Sequence, residues 1–239
     1  MTAPFFYIAS YEASQQQVVL DETNSKHAIQ VLRLKKGDAL LLTDGCGHLL
    51  KGIITDEHRK ACAVQIESVE YCPRPANSVI LAVSLVKNTN RFEWLLEKVT
   101  ELGVSRIIPL RCERTEKETV RMDRLHAVLV SAMLQSQQCW LPVLDTPQPF
   151  SQVFQVKEAV SNCCIAYCGD VPKVPLSEWK TAPGATLVCI GPEGDFTAGE
   201  HALAAAKGCT TVSLGTNRLR TETAAMVAAA LLCQRTASH

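Results

Sequence analysis

The chain has 239 residues, 47% hydrophobic and 20% charged, which describes an ordered globular protein of one large domain or of a small and a medium one. Its 24 basic and 24 acidic residues cancel, so a whole-protein basic field that would coat nucleic acid non-specifically is absent. No apolar run reaches the roughly eighteen residues of a membrane span, and MTAPFFYIASYEASQQQ lacks the basic start and apolar stretch of a signal peptide. A cytoplasmic protein without membrane association is expected.

In chain order, a compact β-rich region comes first. Asn24 to Arg33 is its one helical piece, with Ala28, Val31 and Leu32 on one stripe. Lys35-Lys36-Gly37-Asp38 turns into a strand over 39–43, and Asp44-Gly45-Cys46-Gly47 turns into another over 49–55. A third run, 61–69, alternates apolar and polar residues. Short strands joined by glycine turns predict a small barrel or curled sheet. Tyr71 to Asn77 carries Pro73 and Pro75, which favour extended chain and stop strand pairing. The boundary placed there gives domains 1–72 and 73–239.

Beyond it, strand and helix alternate. Residues 79–86 read as a buried strand, and 91–102 as a helix with Phe92, Leu95, Leu96, Val99 and Leu102 on one side. Gly103 stands at its left-handed C-terminal position. A strand over 106–110 and a helix over 123–138 follow, then buried strands over 163–167 and 187–190. Thr197 to Glu200 has capping-box spacing for another helix. A last strand over 211–214 leads to an Ala-rich helix over 222–234, with Thr221 as its N-cap. This alternation predicts an α/β domain with a largely parallel sheet.

The eleven cysteines are odd in number, include no C-x-x-C pair and mostly have apolar neighbours, so they read as buried reduced thiols. No cysteine–histidine spacing suits a metal, and no metal site is expected. Residues 87–124 hold nine Lys or Arg against seven Asp or Glu, a small excess that serves either RNA or a solvated face.

The sequence contains no G-x-G-x-x-G, P-loop or G-x-S-x-G motif, which leaves dinucleotide, ATP and α/β-hydrolase chemistry without support. A ligand of an open α/β sheet lies beyond the carboxyl ends of its strands. Those ends are Tyr167-Cys168-Gly169-Asp170, Gly191-Pro192-Glu193-Gly194-Asp195 and Gly215-Thr216-Asn217-Arg218-Leu219-Arg220.

These residues carry a family resemblance. IGPEGDFTAGE with LGTNRLRTETA closely resembles the IGPEGGF and LG-x-RILRTETA segments of the ribosomal RNA small-subunit methyltransferase E family. Lys87 with Arg91-Phe92-Glu93, then EKVTELGVSRIIPLRCERT, and near the start HAIQVLRLKKGD with DGCG, are similar to the same family in the same order. The resemblance implies a small N-terminal PUA-like β-barrel for RNA and a C-terminal SPOUT-type, trefoil-knotted α/β methyltransferase domain. It also implies a homodimer, S-adenosyl-L-methionine as cofactor, and methylation of N3 of uridine 1498 in 16S ribosomal RNA, free or within the small subunit. Three departures stand out. Asp195 replaces the last glycine of GPEGG, Asn217 stands where the family has Arg, and Leu134 and Gln138 stand where it has Glu and Arg.

On this resemblance the cofactor would be held by Tyr167, Ile190, Gly191, Pro192, Glu193, Gly194, Leu214, Gly215, Arg218, Leu219, Arg220 and Thr221. Uracil N3 must lose a proton before it attacks, and the anion spreads onto O2 and O4. Arg220 is the candidate stabiliser of that anion, and Glu222 the candidate that orients Arg220 or accepts the proton. The plain alternative is an ion pair at a helix N-terminus, where an early glutamate is favoured anyway. Arg33, Lys35, Lys36, Lys87, Arg91 and Arg114 are the candidate RNA contacts, with solvated surface charge as their alternative. Competing readings are a knotted methyltransferase acting on another RNA atom, such as a transfer RNA ribose 2′-hydroxyl, and a non-catalytic RNA-binding assembly factor.

Overall fold

The computed structural model describes residues 3–117, 119–156 and 159–236; Glu118, one acid of the 87–124 stretch, lies outside them. The chain divides into two compact units.

The first unit comprises residues up to Arg74 together with Met133–Leu141. Its elements are β1 (Phe5–Tyr7), β2 (Gln17–Val19), α1 (Glu22–Lys26), a π-helical turn (His27–Val31), β3 (Ala39–Thr43), β4 (His48–Asp56) and β5 (Ala63–Tyr71). They form one sheet in the order β1-β3-β4-β5-β2, antiparallel except for the β1–β3 pair. Phe6, Leu20, Leu40, Leu42, Leu50, Ile54 and Val64 fill its core, supplied by alternate positions along each strand. Asp21 caps α1 by accepting from the Asn24 amide at 2.7 Å.

The expected apolar stripe over 24–33 is only partly correct. Ala28 is buried, but Val31 is 68% and Leu32 42% exposed. The π-turn widens the helix there, so positions spaced for an α-helix no longer share a face, and Arg33 ends the turn with φ 58°.

Met133–Leu141 belongs with this sheet through long-range bonds that no sequence pattern announces. The Gly47 amide donates to the Cys139 carbonyl at 2.9 Å, and Trp140 Nε1 donates to the Cys72 carbonyl at 2.8 Å. Gly47 has φ 98°, and a Cβ there would lie 2.5 Å from the Trp140 ring, so only glycine fits. The Arg74 guanidinium covers that ring at 4.1 Å.

The second unit, Pro75–Ala132 with residues from Pro142 onward, has β6 (Ser78–Ser84), α2 (Thr89–Glu101), β7 (Arg106–Arg111) and the start of α3 (Met122–Gln135). After these come β8 (Val143–Leu144), β9 (Gln148–Pro149), a 3₁₀ turn (Phe150–Gln155), β10 (Val160–Ala166), β11 (Val174–Pro175) and β12 (Ala185–Ile190). The chain then adds α4 (Ala198–Ala206), β13 (Thr210–Ser213) and α5 (Thr221–Thr236). The strands run β11-β13-β10-β12-β6-β7-β8, all parallel, with β9 also pairing β7. The expected α/β architecture with a parallel sheet is present. Val79 to Ser84 are all buried, as a central parallel strand covered on both faces requires.

Two local helix signals hold. Gly103 follows α2 at φ 88°, and Thr197 and Glu200 form the reciprocal capping box of α4. Thr221, expected as an N-cap, is instead the first residue of α5. The Ala224 amide bonds to the Arg220 carbonyl, so Arg220 takes the cap position.

The cysteine expectation needs one correction. Cys163 and Cys209 form a disulfide, with Cα atoms 4.6 Å apart and a sequence separation of 46. The β10–β13 register pairs Cys164 with Thr210, which brings the preceding residues Cys163 and Cys209 face to face. Such a meeting depends on strand pairing and has no local signature. Cys46 and Cys168 are moreover exposed.

Candidate functional site

Strands β13, β10 and β12 are neighbours, and the segments leaving their carboxyl ends enclose a cleft of about 490 Å³. That volume suits a drug-sized ligand. The cleft mixes apolar lining (Ile190, Val212, Leu214, Leu219, Ala224) with charge (Lys173, Glu193, Asp195, Arg218). Of the candidate cofactor residues, all but Gly194 and Arg220 line it.

The 191–195 turn is anchored at several points. Thr221, buried at the start of α5, donates its hydroxyl to the Gly191 carbonyl at 3.0 Å. A Cβ at Gly191 would sit 3.0 Å from the ring of Phe196, itself fully buried, so the turn is pressed against the core. The Glu193 carboxylate accepts from the Lys87 amide at 3.4 Å. Arg114 donates to the Gly194 carbonyl at 2.6 Å. Glu200 is buried but satisfied: its carboxylate accepts from the Thr197 amide at 2.8 Å and the Glu113 amide at 2.9 Å. The start of α4 is thereby tied to the segment after β7.

The β10 wall is built around Tyr167. Its ring stacks on His201 at 4.3 Å between centroids, and His201 Nε2 is 2.9 Å from Thr211 Oγ1. Burial, and then the nearby Asp195 carboxylate, push the exposed Cys168 thiol above its usual range.

The catalytic candidates are less clustered than the sequence implies. Arg220 is exposed and absent from the lining, although its neighbours Leu219 and Thr221 are part of it. Glu222 is only 7% exposed, and its ion-pair partner is Arg91 at 3.7 Å. Among the RNA candidates, Arg33, Lys35 and Lys36 are exposed in the first unit. Lys87, exposed in the second, pairs with Glu116 at 2.8 Å, which raises its ammonium pKa. Arg114 braces the cleft turn. Lys98 bonds to Glu97 at 2.7 Å and Glu101 at 2.9 Å, and the second of these has the i,i+3 spacing of neighbours on a helix surface.

Comparison with known proteins adds the decisive observation. An RNA methyltransferase domain family matches residues 73–233, and an RNA methyltransferase PUA domain family matches residues 20–67. The ribosomal RNA small subunit methyltransferase E of Synechocystis is 30% identical over 93% of this chain and 75% of its own length. The chain belongs to the ribosomal RNA small subunit methyltransferase E family.

Solved structures agree with this placement. A crystal structure of a probable rRNA methyltransferase from Porphyromonas gingivalis matches with a TM-score of 0.86 at 32% identity, covering 97% of this chain and 96% of that one. The Neisseria gonorrhoeae ribosomal RNA small subunit methyltransferase E, solved bound to S-adenosyl methionine, matches with a TM-score of 0.83 at 26% identity over 98% of both chains.

In this member of the methyltransferase E family the cleft residues suit such a cofactor. Leu214 and Leu219 offer half-buried apolar surface to a flat heterocycle, while Glu193, Asp195, Lys173 and Arg218 offer charges to a zwitterionic tail. Sequence reasoning missed Lys173, Val212 and Ala224 as lining. Lys173 lies beyond the strand end in an unpatterned stretch, and Val212 and Ala224 read only as strand and helix core. Among the described residues no three His, Cys, Asp or Glu side chains gather as a metal site would need. No helix among them is long and apolar enough to cross a membrane.

Proposed function

We propose that this chain is an S-adenosylmethionine-dependent methyltransferase that modifies N3 of uridine 1498 in 16S ribosomal RNA. The observation that carries the reading is the convergence of three adjacent strand ends on one cleft, within a chain of this family. Bound in that cleft, the cofactor supplies an electrophilic methyl group on a cationic sulfur.

The chain's own residues do the rest by positioning, which is most of what an in-line methyl transfer asks of a protein. Tyr167, Ile190, Gly191, Pro192, Glu193, Leu214, Gly215, Arg218, Leu219 and Thr221 form the cofactor walls, and Gly194 belongs to the same turn as three of them. Arg220, exposed next to two lining residues, stabilises the anion left when uracil N3 gives up its proton. Glu222 acts through Arg91, its ion-pair partner, and holds the α2 end of that pair. Residues 1–72 serve as the RNA-binding PUA-like domain and 73–239 as the catalytic domain. Arg33, Lys35 and Lys36 on the former, with Lys87, Arg91 and Arg114 on the latter, meet RNA phosphates. The working form is a cytoplasmic homodimer acting on 16S ribosomal RNA or the small subunit.

Mass spectrometry of 16S ribosomal RNA from cells with and without the gene tests this directly. Disappearance of one N3-methyluridine on deletion, and its return on complementation, are expected. An unchanged 16S modification map, or loss of a methyl group from another atom, defeats the assignment.

A further inference from the structure

We infer that Asp195 is a positioning residue, a latch that ties the β10 wall of the cofactor cleft to the anchored turn after β12. The inference rests on the reading that this cleft takes S-adenosylmethionine, and adds which side chain of this particular chain preorganises it.

Asp195 occupies a conformation suited to glycine, with φ 63°. L-residues rarely adopt it; aspartate is among the few that do, because its short side chain can bond to nearby backbone. Here Asp195 Oδ1 accepts from the Phe196 amide at 2.9 Å. The other oxygen reaches the segment leaving the neighbouring strand: Oδ2 accepts from the Cys168 amide at 2.8 Å, from a residue 27 positions away. The Cys168 carbonyl in turn accepts from Lys173 Nζ at 3.1 Å. Cys168 is thus gripped on its N–H side by one cleft-lining charge and on its C=O side by another.

The two sides of this latch are not equally fixed. The turn carrying Asp195 is held by Thr221 on Gly191, Lys87 on Glu193 and Arg114 on Gly194, besides its own Asp195 amide to Pro192 carbonyl bond at 2.9 Å. Asp195 extends that rigidity to the segment around Cys168, which forms the adjacent wall. A wall held in place before the ligand arrives loses less entropy when it binds. A glycine at 195 would suit the backbone better. A carboxylate at a strained position, with both oxygens engaged, is what a latch requires.

This geometry gives a test whose signs oppose those of a simple structural role. Asp195→Gly relieves the left-handed strain and removes the latch together. The variant is expected to melt no lower than wild type, yet to lose amide-exchange protection at Cys168 in the ligand-free full-length protein. Calorimetry should show weaker binding of S-adenosylmethionine and S-adenosylhomocysteine in parallel, by roughly three- to tenfold, the scale of one solvent-accessible hydrogen bond to a carboxylate. Asp195→Asn tolerates the same φ but offers one acceptor oxygen where Asp195 uses two, so it should recover protection and affinity only in part, to values between Asp195→Gly and wild type.

Unchanged Cys168 protection in Asp195→Gly, or affinities within twofold of wild type, overturns the latch. So does a loss for S-adenosylmethionine that spares S-adenosylhomocysteine, since that places the carboxylate against the sulfonium charge itself. Failure of wild type to bind either molecule defeats the cofactor reading and the latch's role in it; the exchange measurement at Cys168 tells that failure apart from loss of the bond.

Discussion

The buried hydroxyl of Thr221 donates to the carbonyl of Gly191 at 3.0 Å, fastening the first turn of α5 to the turn that floors the cofactor cleft. Two segments thirty residues apart in sequence are thereby one structural unit. Thr221→Val removes the donor while keeping the shape and leaves the Gly191 carbonyl short of a partner. A loss of about 1–2 kcal/mol is expected, with Thr221→Ser close to wild type. Thermal melts of the two variants check this, and equal Tm values for Val and wild type would remove the bond from the account.

Glu222 is buried beside a half-exposed Arg91. Arg91→Ala leaves that carboxylate without its cation, whereas Glu222→Gln with Arg91 intact leaves a neutral amide in the same space. The first should destabilise by about 1 kcal/mol, a figure kept low because the arginine is solvent-screened. The second should cost less. Denaturant titration of both, with single-turnover methylation alongside, separates a structural pair from one that matters to turnover.

Arg220 stands outside the cleft lining yet beside it, so its proposed work is on the RNA base. Arg220→Ala should abolish turnover while S-adenosylmethionine affinity changes little. Near-normal single-turnover rates in that variant would take Arg220 out of the mechanism.

Cys168 is exposed and lines the cleft, but burial and the Asp195 carboxylate raise its thiol pKa. Only the thiolate reacts with alkylating agents, so its modification should be slow at neutral pH and accelerate as pH rises above the ordinary thiol range. Removing the Asp195 charge lowers that pKa and should speed modification, and bound cofactor should slow it. Peptide mapping after timed iodoacetamide treatment measures all three effects.

The Cys163–Cys209 bond closes a loop across adjacent strands. Non-reducing peptide mapping of protein purified without thiols should recover this linked pair. Reduction should cost about 2–4 kcal/mol through the freed unfolded chain. Unlinked peptides under oxidising conditions, or a Tm indifferent to reductant, would contradict the pairing.

The longer strands, two helix ends and most of the cleft lining were legible in the sequence because each has a local cause, whereas β1, β2, β8, β9 and β11, each of three residues or fewer, are too short to leave a pattern. Apolar runs of strand length mark β6 and β12. Thr197 and Glu200 cap their own helix, and Gly103 ends one. The strand ends at 167–170, 191–195 and 215–220 follow from where those runs stop. The family motifs sit on the same turns, so the reading of function rested on residues that also shape the backbone.

What the tertiary structure alone decided are the meetings between distant segments. Asp195 with Cys168, Glu222 with Arg91, Cys163 with Cys209, and the return of Met133–Leu141 to the first unit all depend on strand order and register. The physical reason is common to them. A hydrogen bond or ion pair reaches only about 3–4 Å, so its partner is fixed by how strands stack, whereas sequence spacing constrains only a turn or two of chain.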